Sequence, residues 1–366
     1  MPAAPRTNRR RHLLVAISSH GYGHAMPTAA VLNSLKALAT DVDLTLMTAV
    51  PRSILSQRIE GEFDLIERSV EFGMRMASPF DVLVRESTEG YVEIIESWDK
   101  LVDREASHID EINPDFMLSN ISFLSIAGAK RAGRRCAAMC SFTWADVFRS
   151  YCGHASCADE VLTRLWASYN EAEIFLHAEP GTPMLEVSNL RRIGPIGTVG
   201  INKKDAIRAH LNLDSDARIV VCDLGGIMPG TAGADLPQID GLHWLIAGEP
   251  EKERFDVSQI SRLNISHLDA VASADAIVTK PGYGTFVEAC CSGTRVLYVE
   301  REVWPEEPYL IPWLRLNGCC AGISRESWET AAYGPELIAL CEQEIPNTPL
   351  PTGNQQAATL LSDLMK

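Results

Sequence analysis

The alternation of strands and helices along this chain stops once and then begins again, and that restart is the strongest constraint on its fold. In the first half, His12–Ser18 is an apolar strand, Thr28–Ala39 has apolar residues at helical spacing, and Val42–Val50 is a second strand. Tyr91–Ile112 reads as one long amphipathic helix that ends before Asn113-Pro114. Phe116–Ser119 and Cys136–Ser141 are further strands, with a helix over Ser125–Ala132 between them. The stretch Arg191–Gly200, RRIGPIGTVG, then reads as a linker. After it the pattern resumes with strands at Arg218–Leu224, His243–Ala247, Ala276–Thr279 and Arg295–Glu300, and a helix beginning over Thr285–Cys291. Pro349-Leu350-Pro351 precedes a last helix over Gln355–Met365. Strands alternating with helices imply parallel sheets covered on both faces. The expected fold class is therefore α/β, with one unit over 1–195, a second over 196–348, and a closing helix in 349–366 that packs back on the first.

Composition narrows the function. A chain of 366 residues has room for two or three domains. Its 33 basic and 48 acidic residues give a formal charge of −15, which argues against a general nucleic-acid binder. A phosphate site remains possible, since it needs only a few local donors. The apolar run Leu13–Ile17 follows Arg6, Arg9, Arg10 and Arg11 and is too short for a signal segment. No run has the eighteen or so apolar residues that span a bilayer. The ten cysteines lack metal-ligand spacing and read as reduced, mostly buried thiols, so a cytoplasmic location, no metal site and no bound cofactor are expected.

Two loops carry the chemistry. Strand one runs into Ser18-Ser19-His20-Gly21-Tyr22-Gly23-His24, with a helix after Pro27. Gly21 and Gly23 allow close backbone approach to a ligand, and His20 and His24 are each suited to general-base work. A dinucleotide fingerprint is disfavoured: Met26 replaces its third glycine, and Asp41 and Asp43 stand at the start of strand two, not its end. Asp41 and Asp43 also form a DxD, read here as a solvated strand edge. In the second half Ala276–Thr279 runs into Lys280-Pro281-Gly282-Tyr283-Gly284-Thr285, then a helix with Glu288. Lys280 is a cation, Gly282 and Gly284 bare the backbone, and Thr285 sits where a helix N-terminus favours an anion. Glu288 is placed to accept from ribose hydroxyls, or to close a Thr-x-x-Glu capping box on Thr285. No GxxxxGK[ST] P-loop is present. Gly225-Gly226 ends the first strand of the second unit. His267 is suited to lining a base pocket or to capping a helix.

At these loops the chain resembles the GT-B glycosyltransferases, an architecture of two Rossmann-like domains facing across a cleft. KPGYGTFVEA looks like the donor signature of the UDP-glycosyltransferases, in which a phosphate-binding histidine is followed eight residues later by a ribose-binding glutamate. Lys280 and Glu288 match that spacing, with lysine in place of histidine, and Thr285 matches a hydroxylic phosphate contact. Glu306-Glu307 is the match for an acidic pair that reads sugar hydroxyls. At the place of Gly225-Gly226 the resembled architecture brings backbone N–H groups near a diphosphate. Gly23-His24 followed by Pro27 is similar to the GH-x-x-P loop of the lipid-linked glucosaminyltransferases of peptidoglycan synthesis. A closer likeness, over most of the chain, is to the GT-B-like N-terminal region of plant L-arabinokinases. It is carried by SSHGYGHA, DFMLSNISF, CSFTWADVF, YNEAEIFL, KPGYGTFVEA and EEPYLIPWL. Those proteins continue into a sugar kinase; this sequence stops at Lys366, so phosphotransfer is not expected.

The resemblance implies a metal-independent glycosyltransferase using a nucleotide-sugar donor, a UDP-sugar by preference, on an unknown acceptor. A homodimer is compatible with it. It implies an N-terminal histidine base, His20 by its place at the strand end or His24 by the Gly-His pattern, with His20 preferred. The aspartate that orients this base in inverting members is replaced by Asn120. Three readings follow: Asp146 substitutes for it, the reaction is retaining, or binding has outlived catalysis. Trp144, Phe148 and Tyr151 read as core before acceptor platform. UDP-sugar 2-epimerases share the architecture and are the rival enzyme class, and a non-catalytic nucleotide-sugar sensor is the rival binding protein.

Overall fold

The structure is a computed structural model that describes residues 10–225, 236–250, 253–301 and 303–366. The first sheet holds β1 (Arg11–Ile17), β2 (Val42–Thr48), β3 (Asp64–Glu67), β4 (Phe116–Asn120), β5 (Cys136–Cys140), β6 (Ile174–Ala178) and β7 (Leu190–Ile193). The second holds β8 (Arg218–Asp223), β9 (Leu242–Ile246), β10 (Val257–Gln259), β11 (Ala276–Thr279), β12 (Arg295–Val299) and β13 (Cys320–Ile323). All neighbours pair in parallel, in the orders β3-β2-β1-β4-β5-β6-β7 and β10-β9-β8-β11-β12-β13. The α/β class expected from the alternation is what the chain adopts.

The central strands explain why. Leu13 to Ile17 in β1 and Ala276 to Val278 in β11 are fully buried. Continuous apolar runs suit strands covered on both faces, as helices cover these. In both sheets the order reverses beside the first strand, between β1 and β4 and between β8 and β11. Loops diverge at such a switch point and leave a crevice at the strands' C-terminal ends.

Two local expectations need correction. The long helix is two, Val84–Glu96 and Trp98–Ile112, because the Ser97 backbone (φ −103°, ψ 12°) leaves the helical region between them. The stretch read as a linker begins inside the sheet: Leu190–Ile193 is β7 and pairs with β6. The last helix, Gly353–Leu364, packs on the helix Ala25–Leu38. Asn354 and Gln356 fasten it to the Gly197 and Gly194 backbone at 2.7–3.1 Å.

Candidate functional site

A cleft of about 730 Å³ opens where the two switch points face each other. It is lined by the end of β4 and by the loops after β1, β5, β8, β9, β10, β11 and β12. His20, Gly21, Gly23, His24 and Asn120 line it from the first sheet. Gly225, His267, Lys280, Gly282, Gly284, Thr285, Glu288 and Glu306 line it from the second. The halves touch here: a Cβ on Gly284 would stand 3.6 Å from Met26 Cβ and 3.9 Å from the Gly23 carbonyl oxygen. Gly226 lies outside the described residues.

His24 is the N-cap of the helix Ala25–Leu38 and is buried. Its Nδ1 lies 3.0 Å from Asn120 Oδ1, at the end of β4. The amide is held on its other side, where Nδ2 donates to Thr28 Oγ1 at 2.9 Å and toward the His24 carbonyl at 3.3 Å. Thr28 in turn donates to the His24 carbonyl at 2.8 Å. Because the amide nitrogen is committed to these acceptors, Oδ1 faces the ring and accepts from Nδ1–H. The tautomer this selects leaves the Nε2 lone pair free. Burial pushes the His24 pKa down to about 4, with Asn120 opposing.

His20 has different surroundings. Its ring lies edge-on to Trp144 at 5.0 Å and parallel to Trp304 at 6.5 Å. Its Nε2 is buried with no hydrogen-bond partner among the described residues. Burial, then the neighbouring His24, Lys280 and Arg301, push its pKa down to about 3. Cations around an imidazole favour its neutral form and an anionic visitor.

The loop after β11 is cationic and glycine-bared. Gly282 is the N-cap of the helix Tyr283–Cys291. Thr285 is therefore already the third helical residue, and the capping box with Glu288 does not form. Burial and Arg301 push the Lys280 pKa down to about 8, against Glu306, Asp223 and Glu307. Arg301 donates to the Pro281 carbonyl at 2.7 Å and to Glu307 at 2.5 Å, and lies 4.5 Å over the Trp304 ring. Glu288 is buried and paired with Arg58 at 2.9 Å; burial raises its pKa, with Arg58 and His267 opposing.

The acidic pair is divided. Glu306 is in the cleft, accepting from Ser141 Oγ at 2.9 Å and Trp304 Nε1 at 3.0 Å, and burial raises its pKa. Glu307 is turned toward Arg301 and does not line the cleft. Asp146 does not stand in for the missing aspartate. It closes a capping box with Thr143, and among the described residues its other partners are Thr182 and Arg149. Such a cap contributes about 1 kcal/mol to stability. Trp144 and Phe148 are fully buried core, and Tyr151 is half-buried with its hydroxyl on the Val303 carbonyl. Asp41 and Asp43 pair with Arg11 and Arg10 at an exposed edge.

Sequence reasoning missed three residues of the cleft. Asp223 ends β8 and lies 2.9 Å from His267 Nε2. Burial raises its pKa, but His267, the Gly225 N–H and Lys280 outweigh that and hold it at about 2. Its signal was an acid closing the strand RIVVCD. Arg301 had a similar signal, a charge directly after β12. Arg58 had none.

No protein-family model matches the chain. It is 23% identical over 334 residues to L-arabinokinase of Arabidopsis thaliana, a match covering 89% of this chain. The chain spans 32% of that relative's length. Among solved structures it is similar to the glycotransferase of kitacinnamycin (TM-score 0.58, 15% identity, covering 98% of this chain and 99% of that one). It is similar to Arabidopsis thaliana UGT89C1 complexed with UDP (0.57, 14%, 97% and 99%). It is also similar to a putative UDP-N-acetylglucosamine 2-epimerase from Listeria monocytogenes (0.55, 12%, 97% and 96%). At these identities the likeness is one of fold, and the fold is the GT-B architecture: two Rossmann-like domains with a shared cleft. No helix among the described residues is long and apolar enough to cross a membrane.

Proposed function

We propose that the chain is a glycosyltransferase that moves a sugar from a nucleotide diphosphate, UDP by preference, to a hydroxyl acceptor. The observation that carries this reading is a histidine oriented by a pinned amide, across one cleft from a cationic loop at a helix N-terminus. His24 Nε2 takes the acceptor's proton while the acceptor oxygen bonds to the anomeric carbon. The bond from that carbon to the phosphate oxygen breaks, and its electron pair leaves with the diphosphate. Lys280, Arg301 and the N–H groups of the helix Tyr283–Cys291 offset the leaving charge, with no metal required. The proton on His24 then passes to solvent. We assign the base to His24 rather than His20 because its partner is the Asn120 side chain, at the place where the orienting acid of inverting GT-B enzymes is expected, whereas the His20 ring meets the Met74 backbone. His20, among cations, suits contact with the diphosphate.

Asn120 sets the tautomer without supplying a charge, so the imidazolium gains less than it would beside a carboxylate. A second reading is a UDP-sugar 2-epimerase, favoured by the acidic groups Glu306 and Asp223 in the cleft. A thermal-shift screen with UDP, GDP, dTDP, ADP and their common sugars tests the donor site, since a ligand of the folded state raises the midpoint. No shift with any of them would end the donor-site reading. Product analysis on the binding sugar nucleotide then separates the classes: an epimerase converts the donor alone, and a transferase needs an acceptor or water.

A further inference from the structure

Glu288 is reached from the opposite half of the molecule. Arg58 Nη1 donates to its Oε1 at 2.9 Å, with side-chain exposures of only 12% and 7%. The Thr198 N–H approaches the same oxygen at 3.4 Å. Among the described residues Oε2 has no hydrogen-bond partner. Arg58 and Glu288 both line the cleft.

Arg58 is itself anchored. Its carbonyl accepts from Asn33 Nδ2 at 2.8 Å, and Asn33 Oδ1 accepts from the Glu60 N–H at 2.9 Å. Lys36 Nζ donates to the carbonyls of Glu60 and Glu62 at 2.5 and 3.0 Å. Asn33 and Lys36 lie on the helix Ala25–Leu38, whose N-cap is His24. One helix therefore carries His24 at its end and the supports of Arg58 along its side.

A buried ion pair is costly to desolvate and is weak support for stability alone. A carboxylate has about four acceptor sites, so pairing with one planar guanidinium fixes its orientation without exhausting it. We infer that Arg58 is a positioning residue for ribose recognition. It holds Oε1 of Glu288 so that Oε2 is presented to a nucleotide's ribose hydroxyl, and it ties that contact to the helix bearing His24. The inference rests on the donor-site reading proposed above.

The test is calorimetric titration of the full chain with UDP, GDP and ADP, each beside its 2′-deoxy counterpart. Wild type, Arg58→Ala and Arg58→Lys are compared, with circular dichroism to establish folding. For whichever ribonucleotide binds, Arg58→Ala is expected to weaken affinity by about tenfold. Its affinity for the 2′-deoxy form changes far less, so the preference for ribose shrinks, and Arg58→Lys recovers part of it. A clamp with no role in ribose recognition would weaken both forms equally or neither. An unchanged ratio therefore overturns the inference and leaves the donor site standing. If wild type binds none of the three diphosphates, the donor-site reading falls first and this inference with it. Should the alanine variant not fold, the lysine variant decides: a reduced ribose preference supports the inference, and an unreduced one overturns it.

Discussion

The tripeptide Gly-Tyr-Gly occurs in both loops of the cleft, and the two copies do different work. In the first, Gly21 has φ +67° and the helix starts only at Ala25, so the tripeptide is a turn with a histidine on either side. In the second, Gly282 is the N-cap in extended conformation, and Tyr283 and Gly284 are already helical. The tyrosines diverge accordingly. Tyr22 is half-buried at the cleft, whereas Tyr283 is buried, donates to the Glu179 carbonyl at 2.9 Å and accepts from the Ile196 N–H at 2.9 Å. Where the helix begins decides what each loop can offer. A late start leaves the histidine side chains of the turn facing the cleft, and an early start presents backbone N–H groups and a dipole to an anion.

Single substitutions in each loop should therefore fail in different assays. The largest expected effect is His24→Ala, which removes the proposed proton acceptor. Release of nucleotide from the donor sugar, to water or to an acceptor, should fall by about 10²–10⁴-fold while nucleotide affinity stays at the wild-type level. Equal loss of affinity in that variant would place His24 in the donor site and erase the contrast. Lys280→Ala should do the reverse and weaken diphosphate binding by about 10-fold or more. With the Lys280 pKa near 8, wild-type affinity should be level below that pH. It should fall above it, because the ammonium form binds the anion and a proton must then be taken up. Lys280→Arg removes that titration, so a calorimetric pH series that still declines would point to another group.

The pattern of what was legible follows from where each signal resides. Central strands announced themselves because both their faces are buried, as in LLVAI of β1 and AIV of β11. The edge strands β3 (DLIE), β7 (LRRI), β10 (VSQ) and β13 (CAGI) were missed because they are short and only partly buried, and the exception among interior strands is β6 (IFLHA), which was missed although it is buried between β5 and β7. The glycine-rich loops were legible as strand-to-helix turns carrying charge. The proposed preference for His24 over His20 was not, since it rests on an amide on another strand, 96 residues from His24. Arg58 is separated from Glu288 by 230 residues and has no local pattern at all. The reading in which Asp146 substitutes for the absent aspartate gives way to a local cause that was legible, since Thr143-Trp144-Ala145-Asp146 has capping-box spacing and forms that box.

A smaller effect is expected at Asn120, where the two loops' chemistries can be brought closer. Asn120→Asp adds the charge that an imidazolium favours, so the acidic limb of the turnover profile should move to higher pH and turnover should rise severalfold. The same change sets an oxygen where Nδ2 now donates to Thr28 and toward the His24 carbonyl. Stability should fall by about 1–3 kcal/mol from that lost pairing. A variant that is stable but slower would mean that the amide contributes more than orientation.

The smallest effects come from the glycines, and their signs should cross. Gly21→Ala forces a side chain into the left-handed region at φ +67°, which costs about 1 kcal/mol. Gly284→Ala occupies a helical position, and its Cβ would meet Met26 Cβ at 3.6 Å and the Gly23 carbonyl at 3.9 Å, ordinary contact distances. Alanine in place of a helical glycine adds a few tenths to about 1 kcal/mol of stability. That methyl also lines the cleft beside the helix N-terminus, so nucleotide affinity should drop as the unfolding midpoint rises. Gly21→Ala should lower the midpoint with less change in affinity. If both variants moved midpoint and affinity in the same direction, the two tripeptides would be equivalent turns, and the early helix start in the second loop would have no consequence for binding.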